Sequence, residues 1–237
     1  MKAAVRRVWL PFNETLEGRV PWMYLDSEGF VSTGVGNKLD DTGRVRGAPT
    51  PAERAASLIA ARRLPWRRPD GSAATCAEIN AAWDAVKSRM DLVAGGYRRF
   101  ADVTELRLTD EHIDRVVFAR LDELETLLRG RMVRHGTGAV VMPFAGFDSW
   151  PADAQLGMLS MCWAMGPKFS FPAFQDAAFA RDWLRCAAAC RVNPEIGTVI
   201  RRNDRDQDLF RNAFRVEDEG LDPEVLLFRL PELTSSE

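Results

Sequence analysis

The segment from Glu17 to Gly36 constrains this chain more than any other, because its glycines leave it little choice but to turn repeatedly. Residues 12 to 18 read as a short helix carrying Glu14 and Glu17 and ended by Gly18. Trp22 to Asp26 reads as a strand, Ser27-Glu28-Gly29 as a turn with Gly available for positive φ, and Phe30 to Val35 as the return strand. Period-2 alternation puts Phe30, Ser32 and Gly34 on one face of that strand, and Val31, Thr33 and Val35 on the other. Ser32 and Thr33 therefore cannot face the same cleft.

This transition carries two carboxylates, Glu17 and Asp26, nine positions apart, with the Ser32 hydroxyl six positions after the second. Such a layout suits hydrolysis of a glycosidic bond. One carboxylic acid protonates the leaving oxygen, while the other carboxylate, with the hydroxyl, handles water on the opposite face of the sugar. Each residue also has a plainer use: Glu17 as a surface helix carboxylate, Asp26 as an Asx-turn residue, Ser32 as a solvent-facing strand residue. Glu14 reads as solvated surface. Gly34 and Gly36 would let a sugar ring or its N-acetyl group approach the backbone. A lone GxG is weak evidence for a nucleotide, and Leu39 stands where a third Gly would be needed.

Composition narrows the classes. The 237 residues are enough for one large domain or two small ones. With 46% hydrophobic and 28% charged residues the chain is of ordinary globular type. A formal charge of −2 supplies no positive field to attract phosphates, so a nucleic-acid partner is not expected. Met1 to Leu10 lacks the apolar core of a signal peptide, and no segment reaches the roughly 18 to 20 apolar residues of a membrane span. Synthesis in the cytoplasm without membrane insertion is the expectation. Cys76, Cys162, Cys186 and Cys190 form neither a disulfide nor a zinc framework. Cys186 and Cys190 share a helix face, but neither His112 nor His135 is near in sequence. All four read as buried thiols, the histidines as surface residues, and no metal or cofactor is expected.

The rest of the chain is mainly helical. Thr50-Pro51-Ala52-Glu53 and Thr75-Cys76-Ala77-Glu78 are capping boxes, predicting helices to about Arg63 and Met90. Thr109 caps a helix whose apolar residues, from Ile113 to Leu128, repeat at helical spacing until Gly130. Ser149-Trp150-Pro151 opens a helix to Gly166 that is apolar on most faces and should be the central buried one. Further helices are predicted over 173–191 and 201–214, and Val225 to Leu230 could be strand or helix. The fold class read from this is α+β, a small N-terminal β-hairpin lobe with a larger helical body.

Glu17-Gly18, Tyr24-Leu25-Asp26 and then Gly29, Ser32, Gly34 and Gly36 follow, at the same spacings, the signature of the phage-type lysozymes, glycoside hydrolase family 24, which this chain resembles. Ser32 replaces the family's Thr, keeping the hydroxyl but losing the methyl that restricts χ1, and Asn37 replaces its usual His. Leu159 to Gly166 is similar to the family's central helix, and Arg202 and Arg205, followed by Phe210, to its late helix. Tyr24-Leu25-Asp26 and Gly34-Val35-Gly36-Asn37 are also similar to lysozyme-like toxins carried by type VI secretion systems.

The resemblance implies a lysozyme-like fold in a single domain over 1–237. A catalytic helix-hairpin lobe would occupy 10–40, an inserted helical region without a counterpart in compact members 41–105, a helical body 106–216 and a tail 217–237. It implies a metal-independent muramidase cutting the β-1,4 bond after N-acetylmuramic acid in peptidoglycan, in a cleft between lobe and body. Glu17 would be the general acid. Asp26 would hold or activate water, or attack as a nucleophile, and Ser32 would help place the water. Carboxylates about 6.5 to 9.5 Å apart would favour inversion, which the resemblance implies, and about 5 to 5.5 Å retention. Arg202 matches a family arginine that orients the acid. Tyr24 would pack the hairpin or line the cleft; Trp163 would be a sugar platform or a core residue.

The implied partners are peptidoglycan glycan strands, and either a holin or a secretion machine with a cognate immunity protein, with action in the periplasm or at the wall after delivery. Two rivals stand beside this: a chitinase- or chitosanase-like glycosidase, and a lysozyme-like protein that binds a glycan or a partner without cutting.

Overall fold

The computed structural model describes residues 1–134, 139–193 and 197–230. His135, expected at the surface, lies outside the described residues. The chain divides into two compact units, one of residues 1–16 with 120–237 and one of residues 17–119. The class is α+β: helices dominate, and the main sheet is small, three-stranded and antiparallel. No described helix is long and apolar enough to cross a membrane.

The first unit is helical. Helix α1 (Ala3–Glu17), all but its last residue in this unit, begins well before the predicted start and continues through Pro11. It does so because Val5, Trp9, Phe12 and Asn13 form one buried stripe, and that burial outweighs the missing Pro N–H. The core is built on α5 (Ala152–Met165), in which every residue from Ala152 to Trp163 is buried, as a sequence apolar on most faces predicts, the polar Asp153, Gln155 and Ser160 included. Packed with it is α8 (Gly197–Asp218); Gly157 admits the Phe210 ring so closely that a Cβ there would lie 3.1 Å from Cζ. The helix predicted over 173–191 is two, α6 (Pro172–Phe179) and α7 (Trp183–Ala189), because Arg181 between them takes φ 57°. Trp183 meets Trp150 edge-on at 5.0 Å, and Phe174 meets Phe210 at 5.3 Å.

Residues 225–230 are neither strand nor helix. The buried Asp153 holds them, accepting from the Leu227 and Phe228 amides at 2.8 and 2.9 Å. A short two-stranded ladder, formed by Val133–Arg134 and Val140–Val141, was not anticipated.

The second unit holds the hairpin and residues 41–105. Strands β1 (Val20–Leu25), β2 (Val31–Gly34) and β3 (Asn37–Lys38) form an antiparallel sheet in that order, the third strand being an addition to the predicted hairpin. Tyr24 pairs with Ser32 and Leu25 with Val31, and the register shifts between Val20 and Tyr24. Both predicted capping boxes are formed. Thr50 and Glu53 start α2 (Pro51–Arg62), and Thr75 and Glu78 start α3 (Cys76–Lys87). These helices bury Leu58, Ala61, Ile79, Trp83 and Val86. Two 3₁₀ turns follow, Met90–Gly95 and Tyr97–Phe100, and then α4 (Asp110–Arg129) begins, with Thr109 Oγ1 accepting from the His112 amide at 3.3 Å. His112 itself is buried, contrary to expectation, because it shares the inward side of α4's first turn with Ile113.

Candidate functional site

Helix α1 ends at Glu17 because Gly18 takes φ 75°, a left-handed conformation that costs an L-residue with a Cβ about 1 kcal/mol or more. Two residues later β1 begins and carries the chain to Asp26. One oxygen of that side chain, Oδ1, accepts from the Glu28 and Phe30 amides, both at 2.9 Å, while the Asp26 amide donates to the Phe30 carbonyl at 3.0 Å. Asp26 is thus the Asx residue that shapes the hairpin turn. Both turn bonds use Oδ1, so Oδ2 is not engaged by the turn. Burial raises the Asp26 pKa above the ordinary aspartate range; the Phe30 and Glu28 amides and the Lys38 ammonium oppose this, and the Glu28 charge adds to it.

Cross-strand partners share a sheet face, so Tyr24, Ser32 and Lys38, paired in that order, stand on one side. Alternation adds Asp26 and Phe30 to the same side. Lys38 Nζ lies 3.4 Å from the Phe30 ring centroid, a cation–π contact that holds the face together. Ser32 is 3% exposed, not a solvent-facing strand residue. Thr33 points the other way, as alternation requires, and donates its hydroxyl to the Val20 carbonyl at 3.3 Å.

Tyr24 is the centre of this face. It is 7% exposed, and burial raises its hydroxyl pKa; the charges of Glu17 and Asp26 raise it further, with Tyr97 contributing as well. Both carboxylates therefore lie within electrostatic reach of one tyrosine hydroxyl. The structure thus places Tyr24, Asp26 and Ser32 on one sheet face, and Glu17 in the same unit at the end of α1. Gly34 and Gly36 take φ 66° and 68° in the tight turn into β3, a need that would select glycine there without any ligand.

Two predicted residues belong to the first unit. Arg202 is buried; its guanidinium donates to the Ser160 carbonyl at 3.2 Å, the Ser160 hydroxyl at 3.0 Å and Asn13 Oδ1 at 3.3 Å. Trp163 is 6% exposed, meets Trp9 edge-on at 5.4 Å and carries the Arg120 guanidinium 5.7 Å from its ring, so in this unit it is a core residue. Next to Arg202, Asp206 is fully buried, and neither carboxylate oxygen has a hydrogen bond of ordinary geometry. Burial pushes its carboxyl up to about 7, against the pull of the Arg202 charge, the nearby Ser160 hydroxyl and the Arg205 charge.

Residues beyond the motif support the hairpin. Lys87, the last residue of α3, is buried and donates to the Gly29 carbonyl and to Asp40 Oδ2, each at 2.8 Å. Asp40 accepts from the Val31 amide at 3.0 Å and from the Thr42 amide and hydroxyl. Burial acts to raise the Asp40 pKa, but Lys87, Thr42 and the amides outweigh it and leave it below the usual range. At Gly29, φ is 80° and a Cβ would lie 2.9 Å from Met90 Sδ, so the turn and the inserted region touch directly. The distance in sequence between Lys87 and Gly29 hides this bond from any local motif.

Cys162, Cys186 and Cys190 are buried free thiols, and burial raises the pKa of each, whereas Cys76 is exposed. Among the described residues no three His, Cys, Asp or Glu side chains gather where they could hold a metal ion. No protein-family model matches the chain, and neither a curated protein nor a solved structure matches it.

Proposed function

We propose that this chain is a glycoside hydrolase of lysozyme-like type, a muramidase cutting the β-1,4 bond after N-acetylmuramic acid in peptidoglycan. The observation that carries the reading is the shared sheet face of Tyr24, Asp26 and Ser32, with the charges of Glu17 and Asp26 both acting on the buried Tyr24 hydroxyl. Glu17, on the last turn of a helix, donates a proton to the leaving oxygen. Asp26 has one oxygen committed to the turn, which fixes the carboxylate plane, and presents the other to water. Its raised pKa, caused chiefly by burial, makes it a better proton acceptor than an ordinary aspartate. Ser32, two residues along the return strand from Phe30 and on the same face, helps place that water.

On this reading the enzyme meets its substrate at the bacterial wall after delivery by a phage lysis system or a secretion machine. In the second case an immunity protein in the producer is its partner.

The test is release of muropeptides from purified peptidoglycan, read by mass spectrometry, for the natural chain beside Glu17→Gln. Products with N-acetylmuramic acid at the reducing end, lost in the variant, are expected. Release by the variant at the natural rate would remove Glu17 as the acid. Failure of the natural chain to act on peptidoglycan while it cleaves soluble chitooligosaccharides would move the substrate to chitin-type glycans. Failure on both, with the fold intact, would leave a binding protein.

A further inference from the structure

Resting on the glycosidase reading above, we propose that Tyr97, supplied by the inserted 41–105 region, is a glycan-contact residue of the Glu17–Asp26 site, its ring a platform for the N-acetylated sugar on the acid's side. Four observations place it there. Its hydroxyl stands beside the residue that follows the acid: a Cβ on Gly18 would lie 3.4 Å from Tyr97 Oη and 3.5 Å from Cε1 and Cζ. Its ring meets the ring of Tyr24, on the sheet face shared with Asp26 and Ser32, edge-on at 6.0 Å. Its backbone is tied to the hairpin, since Trp22 Nε1 donates to the Tyr97 carbonyl at 3.1 Å. The residue is nevertheless less buried than Tyr24, so part of it stays accessible to solvent beside Gly18.

A partly exposed tyrosine anchored through its backbone is a rigid surface with an apolar face and a polar tip. That combination fits a pyranose, whose axial C–H groups make one face apolar and whose hydroxyl and acetamido groups ring the edge. Arg98, exposed, holds its guanidinium 5.8 Å from the same ring centroid and adds a donor at the rim. The conformation that delivers Tyr97 is specific. Gly96 before it takes φ 72°, turning the chain between the two 3₁₀ segments, and the Gly96 amide donates to the Val93 carbonyl at 3.1 Å. The inserted region is then part of the site itself.

The chain has two tyrosines, Tyr24 and Tyr97, so ring-labelled tyrosine gives an NMR spectrum that a single Tyr97→Phe variant assigns. The probe is a defined N-acetylglucosamine–N-acetylmuramic acid tetrasaccharide, titrated into the labelled Glu17→Gln protein so that nothing is turned over. Saturable movement of the Tyr97 ring resonances is expected. In that background Tyr97→Leu should weaken binding roughly tenfold, the loss of one aromatic contact, and Tyr97→Phe should recover most of it. Tyr97 resonances that stay still while those of Tyr24 move would overturn the inference and leave the glycosidase reading standing. So would unchanged affinity in a folded Tyr97→Leu protein; should that variant fail to fold, the titration alone decides. A natural chain that neither binds the tetrasaccharide nor releases muropeptides would overturn both.

Discussion

Replacing Lys87 with methionine removes the cation that joins α3 to the hairpin turn while keeping most of the side chain's volume. In the natural chain the Lys87 ammonium is buried against Asp40, itself buried, and also donates to the Gly29 carbonyl. Removing one partner of a buried ion pair costs about 3 to 5 kcal/mol, because the other charge is left without compensation. Asp40 keeps its bonds from the Val31 amide and from Thr42, which places the expected loss at the lower end, about 3 kcal/mol. A chain of two compact units need not melt in one step, so the assay is hydrogen exchange at the Val31 and Leu39 amides, which sit in the affected ladder. Their protection should fall roughly a hundredfold at pH 7.

The pH dependence fixes the cause. Asp40 has a folded pKa below its ordinary 3.8, so its contribution is present above that value and is lost as pH falls through the folded pKa. In Lys87→Met the isolated carboxylate takes up its proton more readily, and the deficit should shrink between pH 7 and pH 4. A fall of less than fivefold at pH 7, or a deficit equal at both pH values, would refute the ion-pair account.

Three further outcomes follow from the same geometry. Gly29→Ala should destabilise the hairpin by about 2 kcal/mol in the same exchange assay, from positive-φ strain and the Met90 contact, and Met90→Ala should restore part of it. Asp206 has a folded pKa near 7 against an ordinary 3.8, so the folded state holds its proton longer and stability should fall as pH rises from 4 to 8. Asp206→Asn should flatten that slope in thermal melts, removing a loss of up to about 4 kcal/mol. In the proposed mechanism Asp26 must be ionised to handle water, and since its pKa is raised, the acid limb of kcat/KM should lie above the usual aspartate range. Asp26→Asn should abolish lytic activity while muropeptide binding persists.

Local chemistry was legible wherever one residue type met one geometric need. The capping boxes at Thr50 and Thr75 start their helices where expected, because hydroxyl and carboxylate three residues apart satisfy both orphan backbone donors. The hairpin followed from Gly18 and Gly29, each at positive φ, and the central helix from a sequence apolar on most faces. What failed depended on packing. Pro11 should weaken a helix, yet α1 passes through it because Trp9 and Phe12 are buried on either side. The break between α6 and α7 rests on a positive φ at Arg181, a residue type that gives no hint of it. Residues 225–230 have the apolar run of a strand but satisfy backbone amides on the Asp153 carboxylate instead of a ladder.

The same division runs through the candidate site. The motif supplies the proposed acid, the turn carboxylate and the hydroxyl, the last two readable because strand alternation fixes their face. It cannot supply what holds them, since Lys87, Met90 and Tyr97 reach Gly29, Gly18 and Tyr24 from more than fifty positions away. A hairpin this small buries little on its own and is marginal in water without something packed against it. Here residues 41–105 provide that packing and the buried Lys87–Asp40 pair pins the turn. Asp26 shows why pinning matters: the carboxylate that shapes the turn is also the one proposed to hold water, so movement of the turn would move that water with it. Loosening the turn from behind, at Lys87, should therefore lower kcat more than it raises KM, whereas cutting back the platform at Tyr97 should do the reverse.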